Sequence, residues 1–148
     1  MPGYGLPTHS KGLLPWKWAE EKLKDSHNYW IATRRPDGSP HLMLVWGIWV
    51  DNEFYFSTGQ ASRKYKNLKA NACCVIGTEE ADHAAIVEGT ASEVRDSALL
   101  KRLSRVYAKK YPPYNLDPSP GPVFAVRPRV VFALDEKKTL NSATRWKF

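Results

Sequence analysis

Cysteine is scarce in this sequence: there are only two, Cys73 and Cys74, and they are adjacent. Neighbouring side chains on a strand point to opposite faces, so this pair is not expected to form a disulfide, and its spacing fits no metal site. We expect two buried free thiols, as in proteins of the reducing cytosol. No stretch approaches the ~20 apolar residues of a membrane-spanning helix, and no basic start leads into a long apolar run. A cytoplasmic protein without a membrane partner is therefore expected.

Signatures of the common catalytic sites are also missing. The sequence contains no G-x-S-x-G elbow, no H-E-x-x-H motif, no C-x-x-C pair and no Walker or Rossmann glycine pattern. The four histidines are dispersed. His41 opens an apolar strand, which favours a structural role, whereas His83 lies in a loop from which it could approach a ligand. Without obvious groups for proton transfer, the chain is typical of a protein whose cofactor performs the chemistry.

Basic residues exceed acidic ones, 22 against 15, which gives a formal net charge of +7. The charge is scattered along the chain, so it suits an anionic ligand and nucleic acid equally well. The length of 148 residues predicts one domain, large enough to fold without disulfides or a metal. Within this domain, residues 1–14 are expected to be a loose N-terminal segment and residues 135–148 a C-terminal tail.

Hydrophobic patterns predict about seven antiparallel strands and three helices, that is, a mainly β (α+β) barrel with peripheral helices. Both sides of the strand predicted at 41–50 are apolar, which indicates that it is covered on both faces. Gly47 within it marks either a bend or the close approach of a ligand or another backbone. The other predicted strands are 29–35, 53–57, 73–78, 84–94 with a bulge at Gly89, 123–128 and, beyond Pro128, 129–134. The helices are predicted to begin near Pro15, Ser62 and Asp96, the last with Leu99, Leu103, Val106 and Tyr107 facing inward.

The most informative stretch is FSTGQASRKYKNL, residues 56–68. It predicts the end of a strand, a loop and a helix that Ser62 caps, with Ala61, Tyr65 and Leu68 facing inward. Arg63, Lys64 and Lys66 follow the cap at once, although a helix N-terminus carries partial positive charge and favours acidic residues. Such a placement is explained by an anion held there by amides, hydroxyls and basic side chains. A basic solvated helix face is the alternative.

Four segments in order resemble the pyridoxamine 5′-phosphate oxidase-like flavin-binding split barrels: YWIATRRPDGSPH, WGIWV, FYFSTGQASRKYKNLKANACC and VEGTASEV. The resemblance extends from Tyr29 to about Val94. It implies a split β-barrel, usually a homodimer with flavin bound at the subunit interface. It also implies a flavin-dependent oxidoreductase that binds FMN and acts on a small molecule, with no nucleic-acid partner.

The resemblance also implies roles for particular residues. Arg63 and Lys64 match the positions that hold the flavin phosphate, next to Ser62 at the helix cap. Ser57 and Thr58 match the pair at the end of a strand that approaches the phosphate and ribityl chain. The strand segment along the isoalloxazine ring corresponds to Met43, Leu44, Val45, Trp46, Gly47 and Ile48. Candidate substrate contacts are Trp49, His83, Arg145 and Trp146, although Trp146 could equally anchor the C-terminal tail.

Some features leave alternatives open. The ring-contact strand is almost wholly apolar, whereas pyridoxamine phosphate oxidases have basic residues there, so pyridoxamine phosphate is not the expected substrate. The K-N-L end of the phosphate motif also resembles the branch that uses the deazaflavin coenzyme F420, whose phosphate and acidic tail would suit a basic protein. A non-catalytic flavin or haem binder is a second class of function. A nucleic-acid-binding barrel, favoured by charge and aromatic residues, is a third.

Overall fold

In the computed structural model of the protein, residues 13–116, 118–119, 121–138 and 142–148 are described. Most of the predicted loose segment 1–14 therefore lies outside the described residues. The described part contains three α-helices, a short 3-10 helix at Glu136–Lys138 and eight strands. In chain order these are α1 (Trp16–Asp25), β1 (Tyr29–Arg34), β2 (Pro40–Val45), β3 (Ile48–Val50), β4 (Glu53–Ser57), α2 (Arg63–Ala70), β5 (Cys73–Thr78), β6 (His83–Glu93), α3 (Ser97–Lys110), β7 (Val123–Asp135) and β8 (Thr144–Lys147).

The strands form one antiparallel sheet in the order β2-β1-β5-β6-β7-β4-β3, with β8 paired to β7. Strands β2 and β3 are at opposite ends of this order, yet only Trp46 and Gly47 separate them along the chain. The sheet must therefore curl until its two ends meet, and the barrel is split where β2 and β3 do not pair. The predicted mainly β split-barrel fold is confirmed.

The inside of the barrel is filled by apolar side chains from alternate positions of the strands. Ile31, Ile76, Val87 and Val131 lie opposite one another on successive strands, and all are fully buried. Burying a side chain of this size contributes about 1.5–3 kcal/mol. Helix α1 covers the barrel with Ala19 and Leu23, as its spacing predicts. None of the helices in the described residues is long and apolar enough to span a membrane.

The predicted single strand 41–50 is instead two strands, because the chain bends at Trp46 and Gly47. A Cβ atom on Gly47 would lie 2.1 Å from Cζ of Phe54 and 2.8 Å from the carbonyl oxygen of Tyr55. Glycine therefore permits strand β4 to approach the bend closely. The sequence left open a bend at Gly47 or the close approach of a ligand or another backbone. The structure shows a bend, and the segment that approaches it is strand β4 of the same chain.

The prediction that this segment is covered on both faces is wrong for the single chain. In β2, Leu42, Met43 and Leu44 expose 58%, 49% and 49% of their surface. Strand β2 is an edge strand with one neighbour, and none of the described residues covers Leu42 and Leu44 on its outer face. The apolar residues that suggested a buried strand form an exposed apolar surface.

Two further strand predictions change at the C-terminal half of the sheet. Residues 123–135 form one strand, not two, because Pro128 lies where the β6–β7 register shifts between Glu88 and Gly89. A proline without an amide hydrogen is tolerated at such a bulge. The bulge lies at Gly89, as predicted, and the extra residue is Arg129 on β7. The predicted tail contributes β8, which pairs with β7 and raises the number of described strands to eight.

Some side-chain predictions also fail. Ala61 is exposed because it precedes helix α2, and Val106 is 37% exposed on α3. Cys74 is buried and burial raises the pKa of its thiol to about 12, whereas Cys73 points to the opposite face and is exposed. Both are free thiols, as expected, but only one is buried.

Candidate functional site

The loop between β4 and α2 is held in a fixed shape by its own hydroxyls. The Thr58 side chain is buried, and its Oγ1 lies 2.9 Å from Oγ of Ser62. Oγ of Ser62 accepts a hydrogen bond from the backbone amide of Tyr65 at 3.2 Å, so Ser62 is the predicted N-cap. Behind the loop, a Cβ atom on Gly121 would lie only 2.1 Å from the carbonyl oxygen of Thr58. Close packing against Gly121 and the hydrogen bonds of the two hydroxyls therefore hold the loop in place.

The first turn of α2 presents positive charge that no acidic group of the described residues neutralises. It contains no acidic residue. Arg63 is exposed, Lys64 is half-buried, and burial lowers the pKa of the Lys64 ammonium. Neither side chain forms an ion pair with a carboxylate of the described residues. The first-turn amides, two hydroxyls and two cations form a set of hydrogen-bond donors that fits a phosphate group.

His41 belongs to the same cluster, although its position in the sequence did not reveal this. The pKa of its imidazole is lowered by burial and then by the positive charges of Arg35, Lys64 and Arg63. Arg35 after β1, His41 in β2 and the two cations of the first turn of α2, Arg63 and Lys64, are therefore close enough to influence one another electrostatically, and we call them the basic cluster. The only signal in the sequence was that His41 lies near the start of a strand that follows the turn after β1.

Helix α2 is attached to the sheet through a buried polar contact beside His41. Nδ2 of Asn67 donates a hydrogen bond to Oγ1 of Thr33 at 3.0 Å, and that oxygen lies 3.4 Å from Nδ1 of His41. Asn67 is fully buried, and its Oδ1 has no hydrogen-bond partner among the described residues. Sequence reasoning did not single out Asn67, because a polar side chain that follows Lys66 in a basic helix is typical of a solvated position.

The predicted ring-contact segment, residues 43–48, divides into an exposed and a buried part. Met43 is opposite Ile31 in the β1–β2 register and His41 is opposite Thr33, so both point to the inner face at the split. Leu44 points to the outer face. Val45, Gly47 and Ile48 are buried by the chain's own side chains. The structure thus brings Met43 to the same face as the basic cluster, and it places Ile48 in the core beneath α3.

Trp46 continues this segment as a fixed aromatic surface that is 36% exposed. Its ring stacks on Tyr111 with the centroids 5.0 Å apart and the planes at 7°. Its Nε1 donates a hydrogen bond to Oδ1 of Asn28 at 3.1 Å, and Tyr114 lies 5.3 Å away. Tyr111 and Tyr114 follow α3, so sequence spacing did not connect them with Trp46.

The four candidate substrate contacts lie elsewhere. Trp49 is buried in the core, 6.2 Å from Trp16. His83 is at the opposite end of the sheet from Thr33 and lies 3.1 Å from Asp82 and 3.6 Å from Asp135. Trp146 packs against Trp16 at 5.3 Å, which favours its role as an anchor of the C-terminal segment, and Arg145 is exposed beside it.

Comparisons with solved structures agree on the architecture. A conserved hypothetical protein from Mycobacterium tuberculosis is 22% identical, with a TM-score of 0.74, over 89% of this chain and 91% of that chain. The haem storage protein HutZ from Vibrio cholerae is 15% identical, with a TM-score of 0.62, over 80% and 90%. At these identities the likeness shows the fold alone.

A structure named F420 reductase is 26% identical, with a TM-score of 0.59, and the match covers 75% of this chain and 94% of that chain. No curated protein sequence matches this chain. The model of the family described as pyridoxamine 5′-phosphate oxidase matches residues 16–135, which include every strand from β1 to β7 and the whole basic cluster. The chain therefore belongs to the pyridoxamine 5′-phosphate oxidase family.

Proposed function

We propose that this protein binds a phosphorylated flavin or deazaflavin, FMN or coenzyme F420, and acts as an oxidoreductase on a small molecule. The observation that carries the proposal is that Arg63 and Lys64 directly follow the paired hydroxyls of Thr58 and Ser62 and lie close enough to His41 to lower its pKa, without a carboxylate among the described residues to neutralise them. Like charges held together in this way repel one another unless an anion binds. A phosphate group, which FMN carries as a monoester and F420 as a diester, matches these donors by its negative charge and its acceptor oxygens.

The ring of the cofactor would lie along β2, on the side of the split. Met43 offers a flexible apolar side chain there and Trp46 a rigid aromatic one, and together they would keep water away from the ring. When bound, such a cofactor accepts or donates hydride at N5, or at C5 in the deazaflavin. The protein's residues would hold the phosphate and orient the ring, and the exposed apolar surface beside Trp46 favours an apolar or aromatic substrate.

The proposal includes a homodimer with the cofactor at the subunit interface. Trp30, Leu42 and Leu44 form a continuous apolar patch on the outer face, because Trp30 is opposite Leu44 and Ala32 is opposite Leu42 in the β1–β2 register. An exposed apolar edge strand is a hazard for aggregation unless a partner covers it. A second copy of the chain is the occupant we propose, because the split barrels that this sequence resembles are usually homodimers.

The test is a visible spectrum of the purified protein followed by separate titrations with FMN and F420. We expect one of the two to bind, and Arg63→Ala with Lys64→Ala to weaken its binding by a few kcal/mol, at about 1.5–3 per charged hydrogen bond. The double variant Lys101→Ala with Lys109→Ala removes the same charge from exposed positions of α3 and should leave binding unchanged. Equal affinities for the two double variants would overturn the phosphate assignment, and a haem spectrum would overturn the choice of cofactor.

The dimer is tested by sedimentation at several concentrations. We expect the double variant Leu42→Asp with Leu44→Asp to be monomeric, because four carboxylates would have to be buried in each dimer. Ser97→Asp with Ala98→Asp adds the same charge at the exposed start of α3 and should remain dimeric. A monomeric unmodified protein at all concentrations would contradict the proposed interface.

A further inference from the structure

Lys110, the last residue of α3, is half-buried and places its ammonium group among oxygen atoms of three separate segments. Its Nζ lies 2.8 Å from the carbonyl oxygen of Lys24, 2.6 Å from the hydroxyl of Tyr29 and 3.2 Å from the carbonyl oxygen of Gly47. The Tyr29 hydroxyl in turn donates a hydrogen bond to the carbonyl oxygen of Leu23 at 2.6 Å. One side chain thereby links α1, β1 and the bend between β2 and β3.

The hydrogen atoms of this network are fully used. Five oxygen atoms of this network accept hydrogen bonds, those of Lys24, Gly47, Tyr29, Leu23 and, beside the Tyr111 hydroxyl, His27. A protonated Lys110 supplies three hydrogens, and the hydroxyls of Tyr29 and Tyr111 supply one each. If Lys110 loses its proton, one of the five oxygens has no donor within the network, and rotating either hydroxyl only transfers the loss to Leu23 or His27.

Tyr111, the next residue, completes the hold on the bend. Its hydroxyl accepts a hydrogen bond from the backbone amide of Gly47 at 3.1 Å and lies 2.8 Å and 2.7 Å from the carbonyl oxygens of Gly47 and His27. Its ring is the surface on which Trp46 stacks. The backbone N–H and C=O of Gly47 and the ring of Trp46 are therefore all held by residues at the end of α3.

The charged groups around Lys110 do not fix its protonation state. Asp25 of α1 and Glu79, after β5, raise the pKa of the ammonium, but burial dominates and lowers that pKa to about 8. The ammonium of Lys24 is 3.1 Å from Glu20, and Lys109 is exposed. His27, Tyr29 and Tyr111 are the remaining titratable groups that face this network. Lys110 can thus change its charge just above neutral pH.

We infer that Lys110 and Tyr111 are positioning residues for the bend at Trp46 and Gly47, and that protonation of Lys110 completes the bonds that hold this bend. The inference rests on the proposed function, because the bend belongs to the segment along which the cofactor ring would lie. In the protonated state the stacked Trp46 ring is held at one orientation. Loss of the proton leaves one acceptor of the network without a donor, so the contacts that hold the bend weaken and the cofactor site becomes less ordered at alkaline pH.

The first test needs no cofactor. In nuclear magnetic resonance spectra of the protein, the backbone amide of Gly47 and the indole N–H of Trp46 should shift with pH with a midpoint at about 8. Lys110→Met should abolish this titration, whereas the exposed neighbour Lys109→Met should retain it. Resonances that do not titrate in the unmodified protein, or that titrate equally in Lys110→Met, would overturn the inference.

A second variant predicts a shift of known direction. Tyr29→Phe removes one acceptor from Lys110, so an uncharged amine with two hydrogens still satisfies Lys24 and Gly47. Deprotonation then costs no hydrogen bond, and the midpoint measured at Gly47 should move to lower pH. An unchanged or higher midpoint would contradict the hydrogen count on which the inference depends.

The link to the cofactor is tested by titrating FMN and F420 at about pH 7 and about pH 9. The affinity of the unmodified protein should fall roughly tenfold between them, in line with the loss of one hydrogen bond, and that of Lys110→Met should be weak at both. An affinity that stays constant while Gly47 titrates would contradict the positioning role alone. Absence of binding at every pH would contradict the proposed function, although the titration of Gly47 would still be observed.

Discussion

The side-chain amide of Asn67 donates a hydrogen bond to the hydroxyl of Thr33, and this contact joins helix α2 to strand β1 inside the protein. Its position explains why the basic residues converge. Asn67 is one turn after Arg63 and Lys64, and Thr33 is opposite His41 in the β1–β2 register. Fixing the helix at Asn67 therefore fixes its first turn above the start of β2. The geometry of the proposed phosphate site depends on one buried pair of polar side chains.

Replacing this asparagine should destabilise the protein. Asn67→Ala leaves the Thr33 hydroxyl without its donor and opens a small cavity, so we expect the free energy of unfolding to fall by about 1–3 kcal/mol. The measurement is urea denaturation followed by circular dichroism. Lys66→Ala, at the exposed position just before it, should change stability by no more than about 0.5 kcal/mol. Similar values for both variants would show that the buried bond does not hold the helix.

The close packing at the Gly47 bend can be tested by comparison with Gly77, a glycine inside strand β5. A Cβ atom on Gly47 would lie 2.1 Å from the Phe54 ring, whereas a Cβ atom on Gly77 would have nothing within 4 Å. We expect Gly47→Ala to cost at least about 1–3 kcal/mol, because the ring and the Tyr55 carbonyl must move apart. Gly77→Ala should be neutral or stabilising by up to about 1 kcal/mol, since it reduces the freedom of the unfolded chain.

Thermal unfolding of the two glycine variants, measured side by side, tests whether close packing requires glycine at position 47. A loss of stability that is equal in both would mean that alanine in any strand of this sheet is unfavourable. It would remove close packing as the reason for glycine at the bend. A loss confined to Gly47→Ala would establish that β4 and the bend are in direct contact.

Local patterns in the sequence were sufficient for most of the fold. Ser62 and Asp96 accept the hydrogen bonds expected of N-caps. Asp51 and Asn52 adopt positive φ angles in the tight hairpin that joins β3 to β4. These features depend on residues close in sequence, so their chemistry is visible without tertiary structure. The family resemblance supplied the split barrel, which periodicity alone did not distinguish from other barrels.

What the sequence did not reveal depends on residues distant in the chain. An apolar strand such as 41–50 has the same pattern whether its cover comes from its own chain or from a partner, so the exposure of Leu42 could not be predicted. His41 joins Arg63 and Lys64 only because α2 crosses β1. The sequence does not distinguish Lys110 from a solvated lysine. Its partial burial arises because α1, α3 and the bend at Gly47 meet around it. Spacing along a helix does not contain this information.

Alkaline pH should unfold the protein through its buried tyrosines. Burial, reinforced by Tyr111, Glu79 and Asp25, raises the pKa of Tyr29 far above 10.0, its value in the unfolded chain. Its contribution to stability is therefore complete below pH 10 and is lost as the pH rises further, because only the unfolded state ionises. The slope is about 1.4 kcal/mol per pH unit for each such group. Tyr29→Phe should reduce the slope by that amount in urea denaturation above pH 10.

The exposed Tyr114 provides the matched control for this experiment. Tyr114→Phe removes the same hydroxyl from a side chain that is 56% exposed and should leave the slope unchanged. Tyr29→Phe will also lower stability at neutral pH, since its hydroxyl bonds to Lys110 and Leu23, so only the change with pH is informative. An identical slope in all three proteins would mean that Tyr29 ionises as easily in the folded state as in the unfolded one.

Anion binding at the basic cluster should become tighter as the pH falls towards 6. The pKa of His41 is lowered by burial and by the neighbouring positive charges of Arg35, Lys64 and Arg63. A bound anion offsets this repulsion and raises the pKa of His41, so binding takes up a proton and is favoured at lower pH. Sulfate is a suitable probe because its charge is constant over this range, whereas a phosphate monoester itself titrates near pH 6.

The measurement is the change of amide resonances in α2 as sulfate is added at about pH 8 and about pH 6. We expect the affinity to rise about threefold to tenfold on acidification, as is typical of one additional charged contact. His41→Gln should bind with nearly the same affinity at both values, whereas His83→Gln, at the other end of the sheet, should behave as the unmodified protein does. If His41→Gln keeps the full pH dependence, the proton is taken up elsewhere and His41 does not face the anion.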